Sequence, residues 1–410
     1  MCTFAHMKQI IVIGGGAAGF FAAVRCAELD RVAQVIILER GKDVLGKVKI
    51  SGGGRCNVTH ACFEPKELVK FYPRGSKELL GPFHRFACGD TMAWFEQRGV
   101  DTKVEADGRV FPVSDNSQTI IDALTHAAQA AGVRVLTQQR VEKIVQPDSP
   151  GAPWLVQCEN KVWQPHKLLI ATGSNPKIWD QLRALGHQIV PPVPSLFTFH
   201  IKDPRIAGLE GISTPLAQVC IPALKLKAEG PLLITHWGLS GPGILRLSAW
   251  GARLLAESNY RFTLEVNWLN KNTDQVKDLL DTAKREWARK LVQAHPPVDL
   301  PARLWRQLVI AAGIPAELRW ADVSKLQIHE LMLQLTSCTF LVKGKSAFKE
   351  EFVTAGGIHL SEVDFKSFES KLLPGLHFAG EVLDIDAITG GFNFQAAWTG
   401  GWIAGEAMAQ

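Results

Sequence analysis

The chain is 410 residues long, 46% hydrophobic and 21% charged, and its 45 basic and 40 acidic side chains leave a formal net charge of +5. That length suits about two or three domains; the mild charge permits an anionic cofactor or a nucleic acid, but no block of basic residues interleaved with aromatics argues for RNA. Eight cysteines, at 2, 26, 56, 62, 88, 158, 220 and 338, are too scattered for a disulfide framework and show no metal-ligand spacing, which predicts a reducing, cytoplasmic setting and no metal.

The opening MCTFAHMKQIIVIGGG has no secretory-leader pattern, and Met7 serves as a start as well as Met1. The longest apolar run, Ile10 to Val24, carries four glycines and is too short for a membrane span, so no membrane partner is expected. Within it, Gln9 to Ile13 is a short β-branched run that predicts a strand buried on both faces. Gly14, Gly16 and Gly19 follow in the spacing G-x-G-x-x-G, and AAGFFAAVRCAEL continues as a helix. Gly14 permits the turn, Gly16 lets a pyrophosphate approach the backbone, and Gly19 lets helix and strand pack closely. The N–H groups around Ala17 and Ala18 then face the phosphates at the positive end of the helix dipole. A second apolar run, Val35 to Leu38, ends in Glu39, about 20 residues past Gly19. A carboxylate there accepts from a ribose 2′-OH and repels a 2′-phosphate, so the expected dinucleotide is FAD or NAD rather than NADP.

Next comes SGGGRCN, residues Ser51, Gly52, Gly53, Gly54, Arg55, Cys56 and Asn57. Three consecutive glycines cost backbone entropy and belong where the chain turns left-handed or lies against a ligand. Cys56 raises the question of a redox disulfide with Cys62. Further on, a helix opened by Ser117 precedes strands at 133–136 and 140–145, and Val141 is the candidate for a backbone contact to adenine. KLLIATGSNPK reads as a buried strand ending in the turn Ala171, Thr172 and Gly173. From about Leu196 to Val342 the pattern changes to short β-rich runs and amphipathic helices. Six tryptophans (237, 250, 268, 287, 305 and 320) fall there; core packing accounts for most, and one or two are available to face an aromatic substrate.

The C-terminal stretch predicts a strand reaching Gly380 and Glu381, a loop, and a small-residue helix starting at Gly390, Gly391, Phe392 and Asn393. Such a helix aims N–H groups and dipole at one point, which stabilises an anionic reduced flavin at its N1/C2=O edge. Glu381 is placed to hold a ribityl chain. The three later features together favour FAD.

VIGGGAAG (12–19), KISGGGRCNVTH (49–60), GRVFP (108–112), THWGLSGPGIL (235–245), AGGI (355–358) and FAGEVLDIDAITGGFNFQAAWTGGWIAG (378–405) resemble the BaiN-like family of bacterial NAD(P)/FAD-dependent oxidoreductases. The resemblance implies an α/β fold: a discontinuous Rossmann-like FAD-binding domain (1–195 and 342–410) with an inserted β-barrel and helical domain (196–341). It implies that residues 51–57 pass beside the FAD, with Arg55 and Asn57 fixing the loop and Arg40, Lys47 and Lys49 as phosphate partners. Glutathione-reductase-type enzymes separate their cysteine pair by four residues; Cys56 and Cys62 are separated by five, so a packed thiol is the expectation for Cys56.

The implied activity is an NADH- or NADPH-dependent reductase passing hydride through flavin N5 to an activated C=C in a small molecule or a base held between the two domains. The family's other activities, oxidation of a small amine with peroxide release and dihydrouridine formation in ribosomal RNA, remain open alternatives, as does a non-catalytic flavin protein. His236, within THWGLSGP, is the candidate proton donor, with a hydrogen-bonded structural histidine as the alternative.

Overall fold

A computed structural model describes residues 8–149, 151–346 and 353–410; the choice between Met1 and Met7 lies outside them. Contacts divide the chain into two units, one running up to Pro192 and resuming with Thr354–Gln410, the other Val193–Val353.

The first unit is built on a sheet of seven strands. Its parallel core runs Leu376–Phe378, Lys167–Ile170, β1 (Gln9–Ile13), β2 (Gln34–Leu38) and Arg134–Leu136, with a short antiparallel hairpin, Val363–Asp364 and Glu369–Ser370, along one edge. Ile10 to Ile13 and Val35 to Leu38 are buried, as a strand covered on both faces demands. Helix α1 (Ala17–Leu29) makes the crossover from β1 to β2. The helix Ser117–Ala130 starts at the expected residue, capped by Asn116, whose side chain accepts from the Gln118 N–H at 2.9 Å.

The terminal helix Phe392–Ala409 lies directly on α1. Gly401 and Gly405 make this approach feasible, since an added methyl at either would stand 2.6 Å from the carbonyl oxygens of Ala18 and Ala22 respectively. The last residues of the chain thereby complete a layer begun by the first. Val141–Val145 joins a separate antiparallel sheet with Leu155–Cys158 and Lys161–Trp163.

The second unit holds six antiparallel strands in the order Phe199–His200, Gly238–Ser240, Leu226–Thr235, Ser213–Ile221, Phe262–Asn267, Cys338–Val342. The His200 N–H donates to Gly344 O, the Lys343 N–H to His200 O and the Ser346 N–H to Thr198 O. These bonds join the last strand's extension to the first strand and close the sheet into a barrel, which removes both edges. The expected boundary at 341 cuts this pairing; the barrel requires the chain through Ser346. Phe197, Phe199, Leu264, Val266 and Phe340 fill its interior, and Trp268, Trp305 and Trp320 are buried with the helices beside it.

Candidate functional site

The carboxyl ends of β1, Lys167–Ile170 and Leu376–Phe378 bring three sequence-distant turns together. The Gly14 N–H is held by Leu38 O at 2.9 Å, the Ala171 N–H by Ile13 O at 2.8 Å, and the Ala379 N–H by Ile170 O at 3.1 Å. The turns are packed tightly: a methyl on Gly14 would strike Ala171 O, and one on Gly19 would strike Gly14 O. Gly16 is different. Nothing lies within 4 Å of where its side chain would go, and its backbone is extended. The first bond of α1 is Phe20 N–H to Gly16 O at 3.0 Å, and among the described residues no acceptor meets the N–H groups of Gly16, Ala17, Ala18 or Gly19. Four unclaimed donors at a helix start, with open space at the Gly16 Cβ position, fit the needs of a pyrophosphate.

Glu39 stands at the end of β2 beside these donors. Its Oε2 accepts from the Gly15 N–H at 2.8 Å and its Oε1 from the Gly41 N–H at 2.7 Å. A carboxylate has about four acceptor sites, so capacity for ribose hydroxyls remains. Arg40 is exposed next to it. The Gln138 and Gln139 N–H groups donate to Gly41 O and Glu39 O, so Val141 lies two residues beyond the β2 turn. Lys47, expected at the phosphates, is ion-paired with Glu381, expected at the ribityl chain. A methyl on Gly173 would lie 4.0 Å from Glu381 Oε2, so Thr172, Gly173, Gly380, Glu381 and Lys47 share one locality.

The SGGGRCN segment is a tight turn. Gly52, Gly53 and Gly54 have φ of 57°, 69° and 85°, and Cys56, without glycine's freedom, takes φ 62°. The Cys56 N–H bonds to Ser51 O at 3.0 Å. Arg55 lies over the Phe111 ring at 3.9 Å and reaches Glu105 at 2.7 Å and Asp115 at 3.3 Å, pinning the turn to a neighbouring hairpin. Cys56 is fully buried, and burial pushes its thiol up to about 12. Every described cysteine is free, so Cys56 stays a protonated, packed thiol.

Asn57 makes the longest connection. Its amide donates to Val110 O at 3.3 Å and Thr59 O at 3.0 Å, while its oxygen accepts from the Gly391 N–H at 2.9 Å. The Gly391 donor, expected to face the flavin, is therefore taken. Those left without an acceptor among the described residues are the N–H groups of Phe392, Asn393 and Phe394, at the start of an 18-residue helix. The Asn393 side chain is also engaged, bonding to both Ala387 N–H and Ala387 O at 2.9 and 3.1 Å. The Phe392 ring stacks on Phe71 at 4.3 Å and on His60 at 4.6 Å, and the Tyr72 hydroxyl donates to Phe392 O at 2.6 Å.

A shallow cleft lined by Phe368, Gly380, Glu381, Leu383, Ile385, Asn393 and Ala396 runs from this first turn to Glu381. Three supporting residues escaped the sequence reading: Tyr72, and the buried pair Arg74 and Asp386, which ties residue 74 to the loop before the helix. They belong to no recognised spacing. His236 sits at the tip of a hairpin in the second unit; its side chain is 84% exposed, and its Nδ1 is 3.9 Å from Glu210 Oε1.

The two sets of unclaimed N–H groups and Glu39 suit the pyrophosphate, isoalloxazine and ribose of FAD. The family model described as "HI0933-like protein Rossmann domain" matches residues 8–407. The chain belongs to that family. Its similarity to the 3-dehydro-bile acid delta(4,6)-reductase of Clostridium scindens is 26% identity over 98% of this chain and 100% of the relative. The ribosomal RNA dihydrouridine synthase of Haemophilus influenzae is 29% identical over 96% of each chain, and that of Escherichia coli K12 is 27% identical over 97% of this chain and 96% of the relative. The structure of 3-ketosteroid delta1-dehydrogenase from Sterolibacterium denitrificans, with 10% identity, overlays 98% of this chain and 99% of its own with a TM-score of 0.52, a likeness of fold. This HI0933-like protein is a BaiN-like, FAD-dependent oxidoreductase with a Rossmann-type fold. None of its described helices is long and apolar enough to cross a membrane.

Proposed function

We propose that this HI0933-like protein uses electrons from NADH or NADPH to reduce a carbon–carbon double bond conjugated to a carbonyl, with uracil in RNA as the acceptor. The observation that carries the reading is the trio of unclaimed N–H groups at Phe392, Asn393 and Phe394, beside the cleft. FAD held by the N–H groups at the starts of α1 and the terminal helix and by Glu39 would supply the hydride chemistry that such a reduction needs, with a proton delivered to the neighbouring carbon. The trio and the dipole of the terminal helix hold negative charge at one end of the cleft. Tyr72, by gripping Phe392 O, and Asn57, by gripping the Gly391 N–H, keep that helix start in place. Cys56 takes no part in proton transfer near neutral pH, because its thiol is buried and its pKa far too high. His236 is kept as the candidate proton donor on its place in the THWGLSGP motif alone; an unchanged kcat for His236→Asn would remove it from that role.

Two similarities support this acceptor chemistry. The reductase and synthase relatives are both named for saturating a double bond in conjugation with a carbonyl. The charge distribution favours RNA between their two acceptors. Residues 193–353 contain 20 Lys and Arg against 15 Asp and Glu, whereas the rest of the chain has 25 against 25. The whole net charge of the protein thus resides in the barrel unit, as suits a polyanion.

The test is anaerobic reduction of the enzyme with NADH and with NADPH, followed by addition of uridine-containing ribosomal RNA or of a steroid dienone. Reoxidation of the flavin by RNA with a gain of two hydrogens in a uridine supports the reading. Reoxidation by the steroid alone transfers it to a small-molecule enone, and rapid peroxide release in air without either acceptor indicates an oxidase.

A further inference from the structure

The motif THWGLSGP contains an exposed aromatic that neither the flavin cleft nor the barrel core uses. Trp237 is 47% exposed, whereas Trp268, Trp305 and Trp320 of the same unit are buried. Its position is set by the closure of the barrel. The Ile201 N–H donates to Trp237 O at 2.8 Å, and Gly238 follows where a side chain would meet Phe199 O at 2.5 Å and Ile201 N at 2.6 Å. Glycine therefore lets the two strands meet, and Trp237 comes beside His200, their rings 5.9 Å apart and close to perpendicular.

Alternation along the strands then gathers charge around this ring. Phe199 and Ile201 point into the barrel, so His200 and Lys202 lie on its outer face. The Lys343 N–H donates to His200 O, which places exposed Lys343 on the adjoining strand. Lys345 follows, its Nζ 5.2 Å from the centre of the Tyr260 ring, and His236 precedes Trp237 at the hairpin tip. Among the neighbouring acids, Asp203 is occupied by Arg205 through two 2.8 Å hydrogen bonds, and Glu210 approaches His236 at 3.9 Å. An indole face on a barrel, flanked by lysines, in the unit that carries the protein's entire net charge, has the chemistry of a single-strand nucleic-acid platform: a base stacks on the ring while phosphates meet the ammonium groups.

We infer that Trp237, with His200, Lys202 and Lys343, forms a contact surface for single-stranded RNA on the outside of the barrel. The inference rests on the RNA reading above, naming the surface by which the RNA is engaged. Its test uses the oxidised, FAD-loaded enzyme without nicotinamide, so that binding is read apart from turnover. The probe is a fluorescein-labelled, uridine-containing 12-nucleotide single strand, followed by anisotropy from low to moderate salt.

Trp237→Ala is expected to weaken binding roughly 5- to 150-fold, the loss of one base–aromatic stack, and Trp237→Phe to retain most of it. Replacing Lys202 and Lys343 together with Ala is expected to reduce the slope of log affinity against log salt by about 1.4, at about 0.7 per phosphate contact. Flavin content and melting temperature matching wild type certify the folding of each variant. Wild-type affinity in both Trp237→Ala and the double lysine variant overturns the surface while leaving RNA as acceptor. Absence of RNA binding by the wild-type enzyme at low salt, with flavin still reduced by nicotinamide, overturns both the surface and the RNA acceptor.

Discussion

Replacing Gly16 by Val separates what the fold needs from what the cofactor needs. The Gly16 backbone is extended, at φ −93° and ψ −172°, a conformation that suits a β-branched residue. No atom lies within 4 Å of the position its Cβ would take, so the apoprotein is expected to keep its stability within about 0.5 kcal/mol. The isopropyl group would fill the space before the N–H groups of Gly16 to Gly19. If it holds the pyrophosphate off two of them, at about 1.5–3 kcal/mol for each bond to a charged group, the loss is about 3–6 kcal/mol. That corresponds to roughly a 10²- to 10⁴-fold rise in the FAD dissociation constant. Isothermal titration of the apoprotein with FAD and thermal melting by circular dichroism read the two effects separately. Gly19→Ala is the contrasting variant, since its methyl collides with Gly14 O and disturbs the packing of α1 on β1 even without cofactor. FAD affinity within threefold of wild type for Gly16→Val would refute the pyrophosphate site, as would an apoprotein as disrupted as that of Gly19→Ala.

Glu39→Gln is expected to lower both apoprotein stability and FAD affinity, each by about 1.5–3 kcal/mol, because one amide oxygen cannot serve both Gly15 and Gly41; urea melts and FAD titration check this. Asn57→Ala leaves the Gly391 N–H without its acceptor and removes one donor each from Thr59 O and from Val110 O, which keeps the Val58 N–H, and should cost about 1–3 kcal/mol in the same urea melts while weakening FAD. Burial lowers the pKa of His377 from 6.5 to about 4, and its Nε2 has no hydrogen-bond partner among the described residues. The unfolded chain therefore binds a proton before the folded one does. Its stabilising contribution is complete above about pH 6.5 and declines as the pH falls toward 4, so urea midpoints at pH 7 and pH 5 should differ less in His377→Gln than in wild type. The native Cys56 thiol should resist iodoacetamide at pH 8 and react after unfolding, as quantified by mass spectrometry of its peptide.

Local patterns carried much of the site. The glycines at 14, 16 and 19, the acid at 39 and the small-residue helix near the C-terminus depend on residues close in sequence, so their turns and helix starts were legible. Pairings set by tertiary register were not. The Asn57 bond to the Gly391 N–H joins segments more than 300 residues apart, and it changes which donors of the terminal helix remain available. Lys47 and Glu381 were each assigned to a different part of the cofactor, yet they face one another across the locality of Gly173. Arg74 and Asp386 gave no signal, since an arginine in YPRGS and an aspartate in DIDAITGG acquire meaning only as a buried pair. Barrel closure by residues 343–346 was hidden for the same reason: a short, polar extension after a strand carries no periodicity.

The most direct test of the account is flavin binding by the purified apoprotein, comparing FAD with FMN by the change in visible spectrum. The proposed arrangement, with the pyrophosphate at the start of α1 and the ring at the start of the terminal helix, predicts that one FAD per chain binds and that FMN, lacking the second phosphate and adenosine, binds far more weakly. A protein that binds no flavin, or that takes FMN as tightly as FAD, would contradict it.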